Sequence, residues 1–187
     1  MQNKENQHHL KLLEINISVL SEGLDLLELL TDKHYLQGFK PAFQSTIGAH
    51  FRHILEHYRC LLKQIECGVF CYDERERDQS LEQDRVYAIK TIKSLLLGLQ
   101  NFELNAFSQN YTIKDQQIYE TVSTNLEREL LFLQSHSVHH YAIIAAMTRL
   151  IGERPAESFG VAFATRTFNE EQAYLESKKD VDVVCAQ

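Results

Sequence analysis

The feature that most constrains the fold is a series of long helical patterns with very few residues that break a helix. The sequence contains two prolines and seven glycines in 187 residues. Between them, apolar residues recur at steps of three and four rather than by alternation. Since that spacing puts apolar side chains on one face of an α-helix, the sequence predicts a mostly α-helical protein. The length suits one domain, 1–187, with a single sizeable core.

Four long helices are predicted, which together favour an all-α four-helix bundle. The first three cover about 9–30, 42–67 and 80–105. Asp78 or Ser80 can cap the third helix, because a short polar side chain there accepts a bond from a free backbone N–H group. Thr124 and Glu127 form a T-x-x-E capping box for the fourth helix, which runs to Gly152.

Two segments fall outside these helices. Residues 109–122 carry few apolar residues among polar ones, so a loop or a short hairpin is as good an interpretation as a helix. After Gly152 we expect an irregular tail that packs across the bundle, with a short polar helix from Asn169.

Charge, hydropathy and cysteine content exclude several functions. The net charge of −7 and the pI near 5.7 argue against nucleic-acid binding, which needs a basic face. The segment "MQNKENQHHL" is polar, without the apolar stretch of a secretory leader, and no apolar run approaches the roughly 18 residues of a membrane span, so we expect a cytoplasmic protein. Cys60, Cys67, Cys71 and Cys185 contain no C-x-x-C pair, and reduced thiols are expected.

The segment "SHSVHHYAII", residues 135–144, puts three histidines into a helix that otherwise faces the core. At 100° per residue His136 and His140 lie on the inner arc, whereas His139 turns toward solvent. The i, i+4 spacing separates the inner rings by about 6 Å along the axis, close enough for one ion. Two core histidines that each bond to a neighbour would show the same spacing.

A second histidine group, "HFRHILEH", lies at residues 50–57 on the border between the apolar and charged faces of the second helix. On a helical wheel, His50 and His57 lie nearer the core face than His53. Burying imidazole rings without partners costs roughly 1–3 kcal/mol each, so these rings must share hydrogen bonds, water or an ion. Three imidazoles plus water suit catalytic zinc, and also nickel or iron. The zinc-peptidase motif H-E-x-x-H is missing, because Ser137 follows His136.

The two histidine helices, "TIGAHFRHILEH" and "SHSVHHYAII", resemble the signature helices of the DinB and YfiT-like superfamily of four-helix, metal-dependent proteins. The resemblance covers most of the chain and implies that His53, His136 and His140 bind a divalent ion. It also implies a homodimer and a small-molecule substrate, with thiol-dependent transfer, isomerisation or hydrolase-like chemistry. The wheel leaves His50 and His57 as alternatives to His53.

Two further interpretations stay open at this stage. In "YDERERD", Tyr72 to Asp78, an arginine could hold an anionic substrate over the bundle, although such charge runs are more often solvated salt bridges. His57 or Glu56 could act as a base, although a solvated helix edge is the simpler interpretation.

A non-catalytic role is the alternative to an enzyme. The histidines would then form a structural metal clip, closed by His50 or His57, or a buried polar network in a binding or assembly module.

Overall fold

The computed structural model describes residues 2–117 and 119–184, and in these residues seven α-helices and three short strands are arranged about one core. The helices are α1 Gln2–Leu29, α2 Asp32–Leu36, α3 Ile47–Gln64, α4 Gln79–Gln83, α5 Arg85–Gln100, α6 Leu126–Leu150 and α7 Phe163–Val184. The strands are β1 Val69–Phe70, β2 Tyr111–Asp115 and β3 Glu120–Thr124. Helix α1 packs on α5 and α6, and α3 packs on the same two helices. The predicted all-α four-helix bundle is therefore confirmed, with α1, α3, α5 and α6 as its members.

The core is built from the apolar faces of these four helices. Its fully buried members include Leu20, Leu27, Phe51, Ile54, Leu61, Leu130, Leu133 and Ile144. Removing each such side chain from water stabilises the fold by about 1.5–3 kcal/mol. One polar pair lies inside the core, where Tyr58 donates its hydroxyl hydrogen to Asn16 Oδ1 over 2.8 Å. This pairing holds α1 against α3 one residue beyond His57.

The first two helices differ from their predicted bounds at their ends. Helix α1 begins near Gln2 rather than at 9, and His9 fastens its first turns by stacking on Phe107 with ring centroids 4.0 Å apart. Helix α3 begins at Ile47, because Thr46 has extended backbone and its hydroxyl accepts from the Ala49 N–H group. A 3-10 turn at 65–67 ends it. The prediction of 42–67 was therefore too long at both ends.

The predicted third helix is divided in two by Asp84. Its backbone is extended, with φ −124° and ψ 102°, so α4 ends there and α5 starts. The Asp84 carboxylate accepts from the Tyr87 N–H group over 2.9 Å and caps α5. Asp78 caps α4, as one of the two predicted candidates, through a bond from the Ser80 N–H group.

The capping box predicted for the fourth helix is wrong by one residue. Asn125 is the cap of α6, and its Oδ1 accepts from the Arg128 N–H group over 2.8 Å. The Thr124 hydroxyl donates instead to Glu129 Oε1 over 2.6 Å. Asn and Thr are both good caps, so the sequence did not distinguish the two positions.

The segment before α6 forms the hairpin that was one of its predicted alternatives. Strands β2 and β3 pair antiparallel, and β1 pairs parallel to β2, which gives a sheet of order β1, β2, β3. Residue 118 lies outside the described residues.

The tail after α6 differs from the predicted irregular stretch and short helix from Asn169. Phe159 is buried and stacks on Tyr141 of α6 with centroids 4.5 Å apart. Gly160 has φ +73°, and a Cβ atom there would collide with the backbone of α6. Helix α7 then begins at Phe163, and its Arg166 binds Glu22 through two bonds of 3.0 and 3.1 Å. The packing prediction holds for Phe159 and its neighbours, whereas most described side chains of α7 are exposed.

Other sequence-based expectations concern membranes and thiols. None of the helices in the described part of the chain has the length and apolar character that a membrane span requires. Cys60, Cys67 and Cys71 are free thiols, and Cys185 lies outside the described residues.

Candidate metal centre

Five histidines meet along the line where α3 lies against α6. On α3 they follow one another at steps of three and four, and on α6 at a step of four, so each set forms a stripe on one face of its helix. They are His50, His53 and His57 on α3 and His136 and His140 on α6. The apolar residues beside each stripe bury both helices in the core and turn the two stripes toward each other.

Two of the three predicted ligands, His53 and His140, each place a ring nitrogen next to Nε2 of the third, His136. His136 Nε2 lies 3.0 Å from His53 Nε2 and 3.1 Å from His140 Nε2. Two nitrogen ligands of a single ion, each about 2.1 Å from it, are roughly 3.0–3.4 Å apart. The observed separations therefore fit two neighbouring ligand pairs of one ion. Coordination by these three residues stays a prediction.

Among the described residues, the histidines whose nitrogens all lie close to one another are His53, His57 and His136, a group that includes His57 and leaves out the predicted ligand His140. The ring of His57 lies 4.4 Å from the ring of His53 and 4.5 Å from that of His136, and one nitrogen from each of the three residues lies within 4.8 Å of the others. His57 Nδ1 lies 2.7 Å from the His53 backbone carbonyl. A carbonyl only accepts, so Nδ1 carries the hydrogen and Nε2 keeps its lone pair, which is the form that binds metals.

The two alternatives to His53 therefore occupy different places. His57 is buried, as the wheel predicts, and adds to the cluster. His50 is only half-buried, and its Nδ1 lies 2.9 Å from Nδ1 of His140, on the ring edge opposite the nitrogen that faces His136. His50 is a neighbour of the cluster rather than part of its centre. His139 is exposed, as predicted.

Burial and mutual repulsion keep these rings neutral. Burial, with nearby histidines adding to it, lowers the pKa of His136 to about 4 and that of His140 to about 3. Burial likewise lowers the pKa of His57 to about 4, against the raising effect of its bond to the His53 carbonyl. Near neutral pH the rings are therefore uncharged and have lone pairs to give, which is the state a divalent ion requires.

The donor set fits a divalent cation better than it fits a hydrogen-bond network alone. An imidazole nitrogen has either one hydrogen or one lone pair, so His136 Nε2 must divide a single hydrogen-bonding capacity between His53 and His140. Its other nitrogen, Nδ1, is buried and has no hydrogen-bond partner among the described residues. A cation would accept a lone pair from His136 Nε2 and another from the neighbouring Nε2 atom, so neither contact would need a shared hydrogen.

The charged loop after α3 is tied to the cluster from one side. Glu56 is buried and accepts a short hydrogen bond from the Asp78 N–H group. Arg75 donates to the Tyr72 carbonyl over 2.8 Å, and its Nε lies 3.7 Å from Glu56 Oε2. The salt-bridge interpretation therefore applies to Arg75, and Glu56 anchors the loop rather than standing at a solvated helix edge.

A buried carboxylate, Glu129, was missed by the sequence analysis. It is fully buried and accepts from the hydroxyl of Tyr72 over 2.8 Å and from that of Thr124 over 2.6 Å. Tyr72 in turn stacks on His57 with centroids 5.3 Å apart. Its position in the sequence could have indicated it, because Glu129 precedes His136 by seven residues, or two helical turns, and so lies on the same helix face.

Comparisons with known proteins concern the family and the fold of the chain. The model of the DinB family matches residues 1–173. A DinB-like protein of Bacillus subtilis, YjoA, has a TM-score of 0.57 and 16% identity, over 76% of this chain and 93% of that one. YfiT from Bacillus subtilis has a TM-score of 0.56 and 16% identity, over 78% of this chain and 89% of its own; it is described as a probable metal-dependent hydrolase with an unusual four-helix bundle topology. At that identity both likenesses concern the fold. No curated protein matches the chain significantly.

Proposed function

The chain belongs to the DinB family, and from this premise we propose that it is a metal-dependent enzyme acting on a small molecule by hydrolase or thiol-dependent transferase chemistry. The observation that carries the proposal is the convergence of His53 and His140 on His136 Nε2 at 3.0 and 3.1 Å. The description of YfiT as a probable metal-dependent hydrolase supports the same class of activity.

His53, His136 and His140 would hold a divalent ion, zinc, nickel or iron, as three neutral nitrogen donors. Such an ion supplies Lewis acidity and lowers the pKa of a water or thiol group toward neutrality. The chain holds the rings in place by stacking, since Phe132 lies on His136 with centroids 5.3 Å apart and an interplanar angle of 16°. Tyr72 stacks on His57 in the same way and shields the rings on that side.

The metal content of purified protein tests the proposal. We expect about one divalent ion per chain in protein prepared without added metal, and almost none in His136→Ala. His139→Ala is the matched control, because His139 is an exposed histidine of the same helix. The proposal would be contradicted by a wild-type protein that is purified without metal and whose stability against unfolding does not change when zinc, nickel or iron is added.

The chemistry is tested by a substrate panel. Metal-loaded and chelator-treated protein are compared on activated esters and amides, and on the addition of small thiols to an electrophile. Turnover that the chelator removes and the metal restores supports the enzyme. The homodimer is part of the same proposal, and sedimentation of the full chain measures it.

A structural metal clip is the second candidate, and His57 favours it. If His57 Nε2 is a fourth ligand beside the other three, the coordination sphere of a tetrahedral ion is full and has no position for a substrate. The visible spectrum of the Co²⁺ protein, with and without azide, separates the two functions. An open site changes its spectrum when azide enters, whereas a closed four-histidine site does not respond.

A further inference from the structure

We propose that His50 and Ser45 form a hydrogen-bond relay that fixes the tautomer of His140 and so presents its Nε2 atom to the metal. The proposal rests on the proposed function, since it concerns residues behind one of the three candidate ligands. It makes His50 and Ser45 positioning residues.

The relay is a continuous chain of short contacts from the start of α3 to the centre of the cluster. Ser45 Oγ lies 2.8 Å from His50 Nε2. His50 Nδ1 lies 2.9 Å from His140 Nδ1. On the far edge of its ring, His140 Nε2 lies 3.1 Å from His136 Nε2. Both nitrogens of His50 and both nitrogens of His140 are therefore engaged.

When a metal occupies His140 Nε2, the hydrogen count of neutral imidazole fixes the direction of every bond in the relay. Each ring has one N–H group, and the contact between the two Nδ1 atoms needs one hydrogen between them. When His140 Nε2 gives its lone pair to a metal, the hydrogen of that ring lies on Nδ1 and is donated to His50 Nδ1. His50 then carries its own hydrogen on Nε2 and donates it to Ser45 Oγ.

The relay also has a reverse setting that suits the protein without metal. Ser45 then donates to His50 Nε2, His50 donates from Nδ1 to His140, and His140 donates from Nε2 to His136. A serine hydroxyl both donates and accepts, so it can terminate the relay in either setting. A backbone carbonyl in place of the serine could only accept a hydrogen, so it would permit only the arrangement in which His140 binds a metal.

The energetic consequence lies in metal affinity. Partners that hold the second nitrogen of a ligating histidine fix its ring and raise its basicity, and their loss typically weakens metal binding about 10–100-fold. Of the three candidate ligands, His140 has such a partner in His50. The second nitrogen of His136 has no partner among the described residues. Of these two ligands, His140 is therefore the one whose second nitrogen the chain holds in place.

Zinc affinity of the full chain, measured by competition with a chromophoric chelator, tests the relay. We expect His50→Phe to weaken zinc binding about 10–100-fold, because a benzene ring accepts no hydrogen from His140. His50→Asn should recover most of that loss, since its side-chain oxygen can stand where Nδ1 stands. Ser45→Ala should weaken zinc binding less than His50→Phe. The control is His139→Ala, which removes an exposed ring whose centroid lies 5.3 Å from that of His140. This variant should leave the zinc affinity unchanged.

Nitrogen NMR of histidine-labelled protein measures the tautomers directly. A merely structural role of His50 would not determine which nitrogen of His140 carries the hydrogen. In the zinc-loaded wild type we expect hydrogen on Nδ1 of His140 and on Nε2 of His50. Hydrogen on Nδ1 of His50 in that state, or equal zinc affinity in folded His50→Phe and wild type, overturns the relay and leaves the proposed function standing. Failure of the wild type to bind zinc, nickel or iron overturns the proposed function and the relay with it. If His50→Phe does not fold, the tautomers of the wild type decide.

Discussion

Replacing His136 with alanine should separate the structural contribution of the cluster from its metal binding. His136 is the residue on which His53 and His140 converge. The variant removes the shared nitrogen without touching the packing of the apolar core. It should therefore fold, with a modest loss of stability in chelator and a complete loss of the response to metal.

The magnitude follows from the contacts of the ring. His136 Nε2 can complete one hydrogen bond, shared between the contacts of 3.0 and 3.1 Å; that bond is worth about 0.5–1.5 kcal/mol, and stacking on Phe132 adds about 0.5–1.5 kcal/mol. The variant also removes a buried Nδ1 that has no partner among the described residues, which offsets about 1 kcal/mol. The net loss is up to about 2 kcal/mol, or up to about 8 °C in Tm for a domain of this size.

Metal linkage gives the larger and more diagnostic effect. Zinc at 100 times its Kd should stabilise the wild type by about 2.7 kcal/mol and should leave the variant unchanged. Thermal unfolding followed by circular dichroism, in chelator and in zinc, measures both quantities. His139→Ala should respond to zinc as the wild type does. An equal zinc-induced shift in His136→Ala and wild type would refute the assignment of His136 to the metal centre.

Three further predictions concern stability. Glu129→Leu should lower the free energy of unfolding by about 2–5 kcal/mol in urea titrations, because the buried Tyr72 hydroxyl and the half-buried Thr124 hydroxyl lose their carboxylate acceptor. Gly160→Ala should cost at least about 1–2 kcal/mol, since φ is +73° and the new Cβ would meet the backbone of α6; Gly38→Ala, where a Cβ meets nothing within 4 Å, is the matched control. Burial lowers the pKa of His57 and His136 from 6.5 to about 4, so the unfolded chain binds more protons below pH 6.5. Metal-free protein should then lose stability from about pH 6.5 down to about pH 4, in urea titrations at fixed pH with chelator.

Each of these has an outcome that contradicts it. Equal stability of Glu129→Leu and wild type would mean that the two hydroxyl groups find water instead. A Gly160→Ala variant as stable as Gly38→Ala would show that the loop after α6 can move away from the helix. Stability that does not fall between pH 6.5 and 4 would show that the rings of the cluster are protonated as easily in the folded protein as in the unfolded chain.

Helical spacing is why the sequence predicted which faces carry the histidines. His136 and His140 occupy fixed angular positions once α6 is a regular helix, whereas His53 was predicted from the family resemblance and not from the wheel; His136 contacts both of the others in the structure. The contact between His50 and His140 depends on how far one helix is shifted along the other, and a wheel for a single helix contains no such information. The sequence therefore left His50 and His57 as equal alternatives, and the structure separates them.

Local backbone choices were harder to predict than faces. Thr124 and Asn125 are both good helix caps, and only the hydroxyl bond from Thr124 to Glu129 decides for Asn125. Asp84 divides a helical pattern through its extended backbone, although the apolar spacing continues across it. Glu129 looks like a surface residue in the sequence, because the hydroxyl groups that make its burial tolerable come from two other segments of the chain.

The two halves of the histidine cluster are far apart along the chain. The contact between His53 and His136 spans 83 positions, and that between His50 and His140 spans 90. Contacts of such separation form late, since the entropy of closing the intervening loop must be overcome first. A ribosome that has released α3 still has to make α4, α5, the hairpin and α6 before the cluster exists. The histidine cluster can therefore form only after α6 has been synthesised and has packed against α3.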